Sequence, residues 1–330
     1  MPHTVILPQP IHPDGLARLE ARPDLVRVQM TASPSTEDVR PHLQGADAVL
    51  LRNGLMDRAM IEAAPRLKII SRHGIGLDNI DLQAAAARGV TATHVGRANV
   101  PSVVEHTFAL MLTIAKDVYG YDEAIRAGRF SARDSLRAFD LMDKTLLVIG
   151  LGRIGGDVVQ IARAFGMRVL GADIAMDDAM IAAKGALPAN DWRERLSEVD
   201  ILTVHVPLKD DTRALIDGNV MAAMKPTAVI INCARGGIVD EAALISALDG
   251  GRLFMAGLDV QACEPTRADD PLLTNTRVVL TPHMAASTGE GMRRMSLQAA
   301  QNIIDYFDGV LDETFIANGV EPPRSPLVAT

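Results

Sequence analysis

The chain has 330 residues, 48% of them hydrophobic and 22% charged, with a net charge of −8. That length supports two domains with a sizeable core, and the acidic balance argues against nucleic acid as a partner, because phosphates call for a basic face. No apolar run reaches membrane-span length and the apolar patch at 4–7 leads into prolines rather than a signal peptide, so the cytoplasm is the expected compartment.

Short apolar runs at 4–7, 26–30, 47–51, 67–71 and 89–93 read as buried strands, and helical patterns at 13–20, 36–44, 57–64 and 79–88 separate them. Such alternation predicts an α/β unit around a parallel sheet. A long helical pattern then runs from Val100 to about Ala127, with Pro101 in its first turn and Gly128 as its stop. Further apolar strands are expected at 146–149, 168–172, 200–205, 228–232, 254–259 and 277–281, with a helix at 240–250 between two of them. A last long helix covers about 287–308.

The most informative stretch is Leu146-Leu-Val-Ile-Gly-Leu-Gly-Arg-Ile-Gly155. A strand, a G-x-G-x-x-G turn, a helix and a second strand ending in Asp173 follow the order of a dinucleotide-binding βαβ unit. Gly150 allows the tight turn, Gly152 lets backbone approach a pyrophosphate, and Gly155 lets helix and strand pack closely. Arg153 and Ile154 open the helix, whose free N–H groups face the phosphates. Asp173 suits the ribose hydroxyls and would repel a 2′-phosphate, and Ile174-Ala-Met176 brings no arginine to receive one. The expected cofactor is therefore NAD rather than NADP.

Three reactive segments follow strand ends. In Asn232-Cys-Ala-Arg-Gly-Gly, Arg235 could grip a carboxylate with two parallel hydrogen bonds; taken alone it reads more readily as a loop-closing surface arginine. Asp259 ends a strand, and Glu264 lies in the loop beyond it. His283, after Pro282, is a general-acid candidate. A histidine beside a carboxylate holds its proton more tightly and can pass it to a carbonyl oxygen. Taken alone, it is as readily structural. Cys233 and Cys263 form no C-x-x-C pair and no Cys/His cluster has metal spacing, so neither a disulfide framework nor a metal is expected.

These segments resemble the D-isomer-specific 2-hydroxyacid dehydrogenase family over nearly the whole chain. The resemblance also includes His73-Gly-Ile-Gly-Leu-Asp-Asn-Ile-Asp81, Asn99-Val-Pro-Ser-Val-Val-Glu-His106 and Val204-His-Val-Pro-Leu-Lys-Asp-Asp-Thr-Arg213. It implies an α/β fold of two Rossmann-like parallel-sheet domains. One is a discontinuous, flavodoxin-like substrate domain of residues 1–98 and 284–330, completed by the C-terminal helix. The other is an NAD-binding domain of residues 99–283. It further implies hydride transfer between a D-2-hydroxy acid and its 2-keto acid. Arg235 would bind the substrate, and Glu264 and His283 would form the acid/base pair. His205, Val206, Pro207, Thr212, Cys233, Ala234 and Asp259 would join the glycine turn as cofactor contacts. Backbone at Ile75 and Gly76 would cradle the substrate carboxylate. The family pattern also implies a homodimer, with 120–145 as the interface arm.

Arg52 and Arg72, both at strand exits, could serve a phosphate or a second carboxylate, or could be solvated arginines. Hydroxypyruvate, glyoxylate and 3-phosphohydroxypyruvate are the expected substrate types, and Glu264 stands where formate-oxidising members usually carry Gln. The rival reading is an NAD(H)-binding regulatory, corepressor-like protein of the same fold. The presence of Arg235, Glu264 and His283 together favours an enzyme.

Overall fold

The computed structural model describes residues 2–30 and 35–323. From the N-terminus the elements are β1 (His3–Leu7), α1 (Pro13–Glu20), β2 (Leu25–Gln29), α2 (Thr36–Val39), β3 (Ala48–Leu51), α3 (Arg58–Glu62), β4 (Ile69–Arg72), α4 (Leu82–Ala87) and β5 (Thr91–Thr93). The five strands form a parallel sheet in the order β2-β1-β3-β4-β5. All four residues of β3 are buried, as a strand covered on both faces requires; an alternating pattern would leave polar side chains facing a helix.

Next come α5 (Val100–Ala115), α6 (Val118–Arg126), β6 (Thr145–Ile149), α7 (Arg153–Ala164), β7 (Arg168–Ala172), α8 (Asp178–Ala183), β8 (Leu187–Pro188), β9 (Ile201–Val204), α9 (Gly218–Ala223), β10 (Val229–Asn232), α10 (Glu241–Asp249), β11 (Met255–Leu258) and β12 (Val278–Leu280). These strands make a seven-stranded parallel sheet, β12-β11-β10-β9-β6-β7-β8. α11 (Gly289–Asp308) closes the series. No helix among the described residues is long and apolar enough to cross a membrane.

The chain divides into two compact units, one of residues up to Asn99 with those from Ser287 onward, the other Val100–Ala286. The expected divisions stood at 98/99 and 283/284. α11 packs on α1 and β4 within the first unit. There Gly15 lies so close that a Cβ on it would stand 2.6 Å from the Ser296 side chain, and the Ser71 hydroxyl donates to Ala299 O at 2.8 Å.

Two expected helices differ. The pattern at 36–44 is α-helical only over Thr36–Val39 and tightens into a 3-10 helix over Arg40–Gly45, where Pro41 enters. The helical pattern from Val100 to Ala127 is two helices, because Asp117 adopts φ 46° and interrupts the hydrogen-bond ladder. The Phe139 N–H then takes up Ala115 O, at the end of α5. Within the second unit α5 presses on β11 at a glycine. A Cβ on Gly257 would lie 3.1 Å from Leu110 and 3.3 Å from Ile114. That close approach sets the level at which the polar end of α5 meets the ends of β11 and β12.

Candidate active site

The glycine turn lies between β6 and α7, where the strand order of the second sheet reverses. Ligands of doubly wound sheets bind at such a switch point. The three glycines do different work. Gly150 has φ 88°, a conformation that side chains resist. A Cβ on Gly155 would stand 1.9 Å from Gly150 O, so only glycine lets α7 start this close to the strand exit. Around Gly152 a Cβ would meet nothing within 4 Å, so its missing side chain leaves open space for an incoming group.

The N-cap of α7 is Gly152 itself and no side chain bonds the first N–H groups of the helix. The first turn carries no acid, and Arg153 there is exposed while Ile154 is half-buried. Open N–H groups with a positive dipole end fit a pyrophosphate.

Asp173 follows β7, and its carboxylate is held in place by two backbone donors. Leu151 N–H reaches Oδ2 at 2.7 Å and Ala175 N–H reaches Oδ1 at 2.9 Å. Each oxygen keeps a lone pair for a ribose hydroxyl. On the other side of the turn, His205 donates its N–H to Ile149 O at 2.8 Å. Its ring pairs through Nε2 with Thr203 Oγ1 at 3.1 Å, while buried Nδ1 has no partner. Burial pulls the His205 pKa down to about 4, so the ring is neutral near pH 7. The Thr212 hydroxyl closes the 207–212 loop by donating to Pro207 O at 2.7 Å, with Val206 half-buried at the loop's start. These residues, open cradle and orphaned ring nitrogen included, fit a bound dinucleotide.

Arg235, Glu264 and His283 follow β10, β11 and β12, three neighbouring parallel strands, so the sheet itself collects them at one end. His283 Nδ1 lies 2.7 Å from Glu264 Oε2. A carboxylate only accepts, so Nδ1 carries the proton and Nε2 is the ring atom left for chemistry. Burial alone would raise the Glu264 pKa, but it is lowered: the His283 bond, the Gln261 N–H at 3.1 Å and the charges of His283 and Arg235 outweigh burial. Near neutral pH Glu264 is ionised.

The Arg235 loop is shaped by Asn232. That buried side chain accepts from Ala234 N–H and donates to Arg235 O, both at 2.9 Å. Arg235 Nη1 donates to Ala234 O at 2.7 Å. A Cβ on Gly236 would fall 1.8 Å from Gln261 O, so the arginine loop rests directly on the backbone leading to Glu264. Cys233, with its thiol pushed up to about 12 by burial, is a packing residue rather than a nucleophile.

Asp259, expected beside a nicotinamide, has its carboxylate 1% exposed and already engaged. Thr281 Oγ1 donates to it at 2.6 Å, and Met284 and Ala285 N–H groups donate at 2.9 Å. Its task within the described structure is to hold the turn that carries His283, which sits at φ 50°.

In the first unit Arg52 leaves β3 and donates Nη1–H to Pro10 O at 3.2 Å. Arg72 instead staples its own loop, giving Nε–H to Gly76 O at 2.9 Å and Nη1–H groups to the carbonyls of Leu51, Arg52 and His73. Its Nε and Nη1 groups are thus engaged by backbone carbonyls. Ile75 and Gly76 are half-buried in the loop Arg72 closes. Sequence reasoning missed Asn232 and Gln261 as shapers of the site. Their signal was weak: polar residues at or just past strand ends.

Residues 108–285 match the model of the D-isomer specific 2-hydroxyacid dehydrogenase, NAD binding domain. The chain is 36% identical to the D-3-phosphoglycerate dehydrogenase of Methanocaldococcus jannaschii over 98% of its own length, and spans 60% of that protein. It is 32% identical to the glyoxylate reductase of Korarchaeum cryptofilum, covering 94% of this chain and 95% of that one. Among solved structures, D-lactate dehydrogenase from Aquifex aeolicus, complexed with NAD and lactic acid, superposes with a TM-score of 0.85 at 28% identity. That match covers 96% of this chain and 99% of the other.

Proposed function

The chain belongs to the D-isomer-specific 2-hydroxyacid dehydrogenase family, and on that premise we propose that it is an NAD-dependent oxidoreductase interconverting a D-2-hydroxy acid and its 2-keto acid. The observation that carries the proposal is the His283–Glu264 pair, standing with Arg235 at the ends of three adjacent strands.

In keto-acid reduction Arg235 grips the substrate carboxylate and orients the carbonyl. His283 presents a proton on Nε2 to the carbonyl oxygen as charge develops there, and Glu264 stabilises the imidazolium through Nδ1–H. Bound NADH supplies the hydride to the carbonyl carbon. In the opposite direction Nε2 accepts the hydroxyl proton. The α7 N-terminus, Gly152 and Asp173 hold the pyrophosphate and ribose. Arg153, Ile154, His205, Val206, Pro207, Thr212, Cys233 and Ala234 complete the proposed cofactor contacts, with Asp259 buried behind them as the anchor of the His283 turn.

For the rest of the substrate we extend the proposal to Arg52 and to the backbone of Ile75 and Gly76. Hydroxypyruvate and glyoxylate need no second cation, whereas 3-phosphohydroxypyruvate needs Arg52. The test is NADH oxidation at 340 nm against these three compounds and pyruvate, repeated with NADPH. Turnover of one of them with NADH supports the proposal. NADH binding without turnover of any of them removes these substrates and leaves either another keto acid or the regulatory role.

We also propose a homodimer through the 120–145 arm, where Phe130 is 65% exposed, Leu136 89% and Met142 64%. Large apolar side chains grouped this way mark an interface. Light scattering should give twice the chain mass, and Leu136→Asp should shift it toward monomer; a wild-type monomer would remove this part.

A further inference from the structure

We infer that His106, far from the motif histidine in sequence, is a positioning residue that fixes His283 through Thr281 and Asp259. The inference rests on the general-acid role proposed for His283. His106 lies on α5, and its Nε2 stands 2.9 Å from Thr281 Oγ1 and 3.4 Å from Asp259 Oδ1. The Thr281 hydroxyl in turn lies 2.6 Å from Asp259 Oδ1.

The proton count allows one arrangement. Asp259 is held ionised: burial would raise its pKa, but the bonds from His106, Thr281 and the Met284 and Ala285 N–H groups bring it below the ordinary value. A carboxylate only accepts, so the single hydroxyl proton of Thr281 goes to Asp259. Thr281 Oγ1 can then only accept from His106, so Nε2 carries a proton. The ring thus donates to Thr281 and lends a second, longer contact to Asp259.

What Asp259 does with that support bears on the site. Its carboxylate draws in the N–H groups of Met284 and Ala285, and its backbone oxygen accepts the His283 N–H at 2.7 Å. These three bonds curl the chain so tightly that His283 stands at φ 50°, a left-handed conformation that a residue with a side chain resists. A turn under strain needs an over-determined anchor. The only side-chain ring supporting that anchor among these bonds is His106, on a helix seated against β11 at Gly257. Removing its N–H leaves the buried carboxylate short of a donor and the turn free to relax. The Nε2 atom of His283 then moves relative to its target, to which catalysis is steep in distance.

The test uses the full chain with His106→Leu, His106→Gln, Thr281→Val and Thr281→Ser. For each, kcat and KM are measured with the keto acid the wild type turns over, along with hydrogen exchange at Met284 and Ala285. His106→Leu and Thr281→Val should lower kcat by ~10–100-fold, the usual span for a residue that orients a reacting one, with KM for NADH within about threefold. Both should speed exchange at Met284 and Ala285. His106→Gln and Thr281→Ser, which keep a donor, should recover most of the loss, and the Leu/Val double variant should be no worse than the poorer single one. Should His106→Leu fail to fold, the Val and Ser pair at Thr281 decides. A fall in kcat without faster exchange at Met284 and Ala285 overturns the inference, as does equal behaviour of the Leu and Gln variants. A wild type that reduces no keto acid defeats the proposed function instead; the positioning claim is then decided by exchange at Met284 and Ala285 in Leu against Gln.

Discussion

Around its first strand each unit repeats the same arrangement. The first unit runs β2-β1-β3-β4-β5, and the second contains β7-β6-β9-β10-β11. In both, an aspartate just before the third strand of that set ties down the start of the first. Asp47 accepts the Thr4 N–H and is met by Arg66, and Asp200 accepts the Thr145 N–H and is met by Lys225. The units part where the first strand ends. In the first, Pro8-Gln9-Pro10 leads to α1, whose N-terminus is closed by Pro13, by the His12 ring accepting the Asp14 N–H, and by the negative charge of Asp14. In the second, Gly150-Leu-Gly152 leads to an uncapped helix with no acid in its first turn. A doubly wound sheet is thus only a frame; the open helix start turns one copy into a site for an anionic cofactor.

The largest expected effect tests where the chemistry sits. His283→Asn keeps a residue that tolerates φ 50° and should lower kcat by ~100-fold or more while NADH still binds. Turnover within a few-fold of wild type would remove His283 from the acid role.

Next is a matched pair of glycines, each third in its helix. Gly155→Ala should weaken NADH binding by ~10–100-fold, because overpacking at Gly150 O costs about 1–3 kcal/mol and pushes α7 off the strand exit. Gly15→Ala should cost a similar amount of thermal stability through Ser296 while leaving the NADH dissociation constant within about twofold, as distant sites act independently. Equal losses of NADH affinity in titrations of both would break the comparison.

A smaller effect comes from a buried histidine of the first unit. Burial lowers the His73 pKa to about 4 from 6.5, and its ring pairs with Ser296 Oγ at 2.8 Å. The unfolded chain takes up a proton below pH 6.5 that the folded one refuses until about pH 4. Stability from this residue is therefore full above pH 6.5 and lost as pH falls, by about 1 kcal/mol at pH 5.5 and approaching ~3 kcal/mol near pH 4. Urea titrations of His73→Gln should show a correspondingly flatter acid limb; an unchanged slope would mean the ring is already charged in the native state.

The smallest concerns the ribose. Asp173→Ala should reduce the preference for NADH over NADPH by about tenfold, the scale of one charge-assisted hydrogen bond. An unaltered ratio of kcat/KM values would show that the ribose is read elsewhere.

What could be read from the sequence follows the range of the interaction. The glycine turn and Asp173 were legible because strand, turn, helix and acid lie within one continuous stretch. Arg235, Glu264 and His283 were legible as motifs just past strand ends. His106 was not, because its partner Thr281 is 175 residues away and nothing local marks the pairing. The break at Asp117 escaped because neither Pro nor Gly announces it, and the reading of helix length relied on such signals. Arg72 stayed open between an anion ligand and a solvated arginine because its type and place at a strand exit were visible, while the carbonyls that surround it were not.

The place of α11 in the first unit has a consequence for how the protein is made. The N-terminal 99 residues cannot complete their packing until a helix that follows the second unit in the chain is made, about 190 residues later. At ordinary rates of translation that delay is roughly 10–40 s. The later-made unit can finish folding while the earlier-made one still lacks the helix that covers Gly15, Ser71 and Thr93. Order of assembly therefore runs opposite to order of synthesis, and the nascent chain must keep a half-covered sheet from aggregating on the ribosome until its last helix emerges.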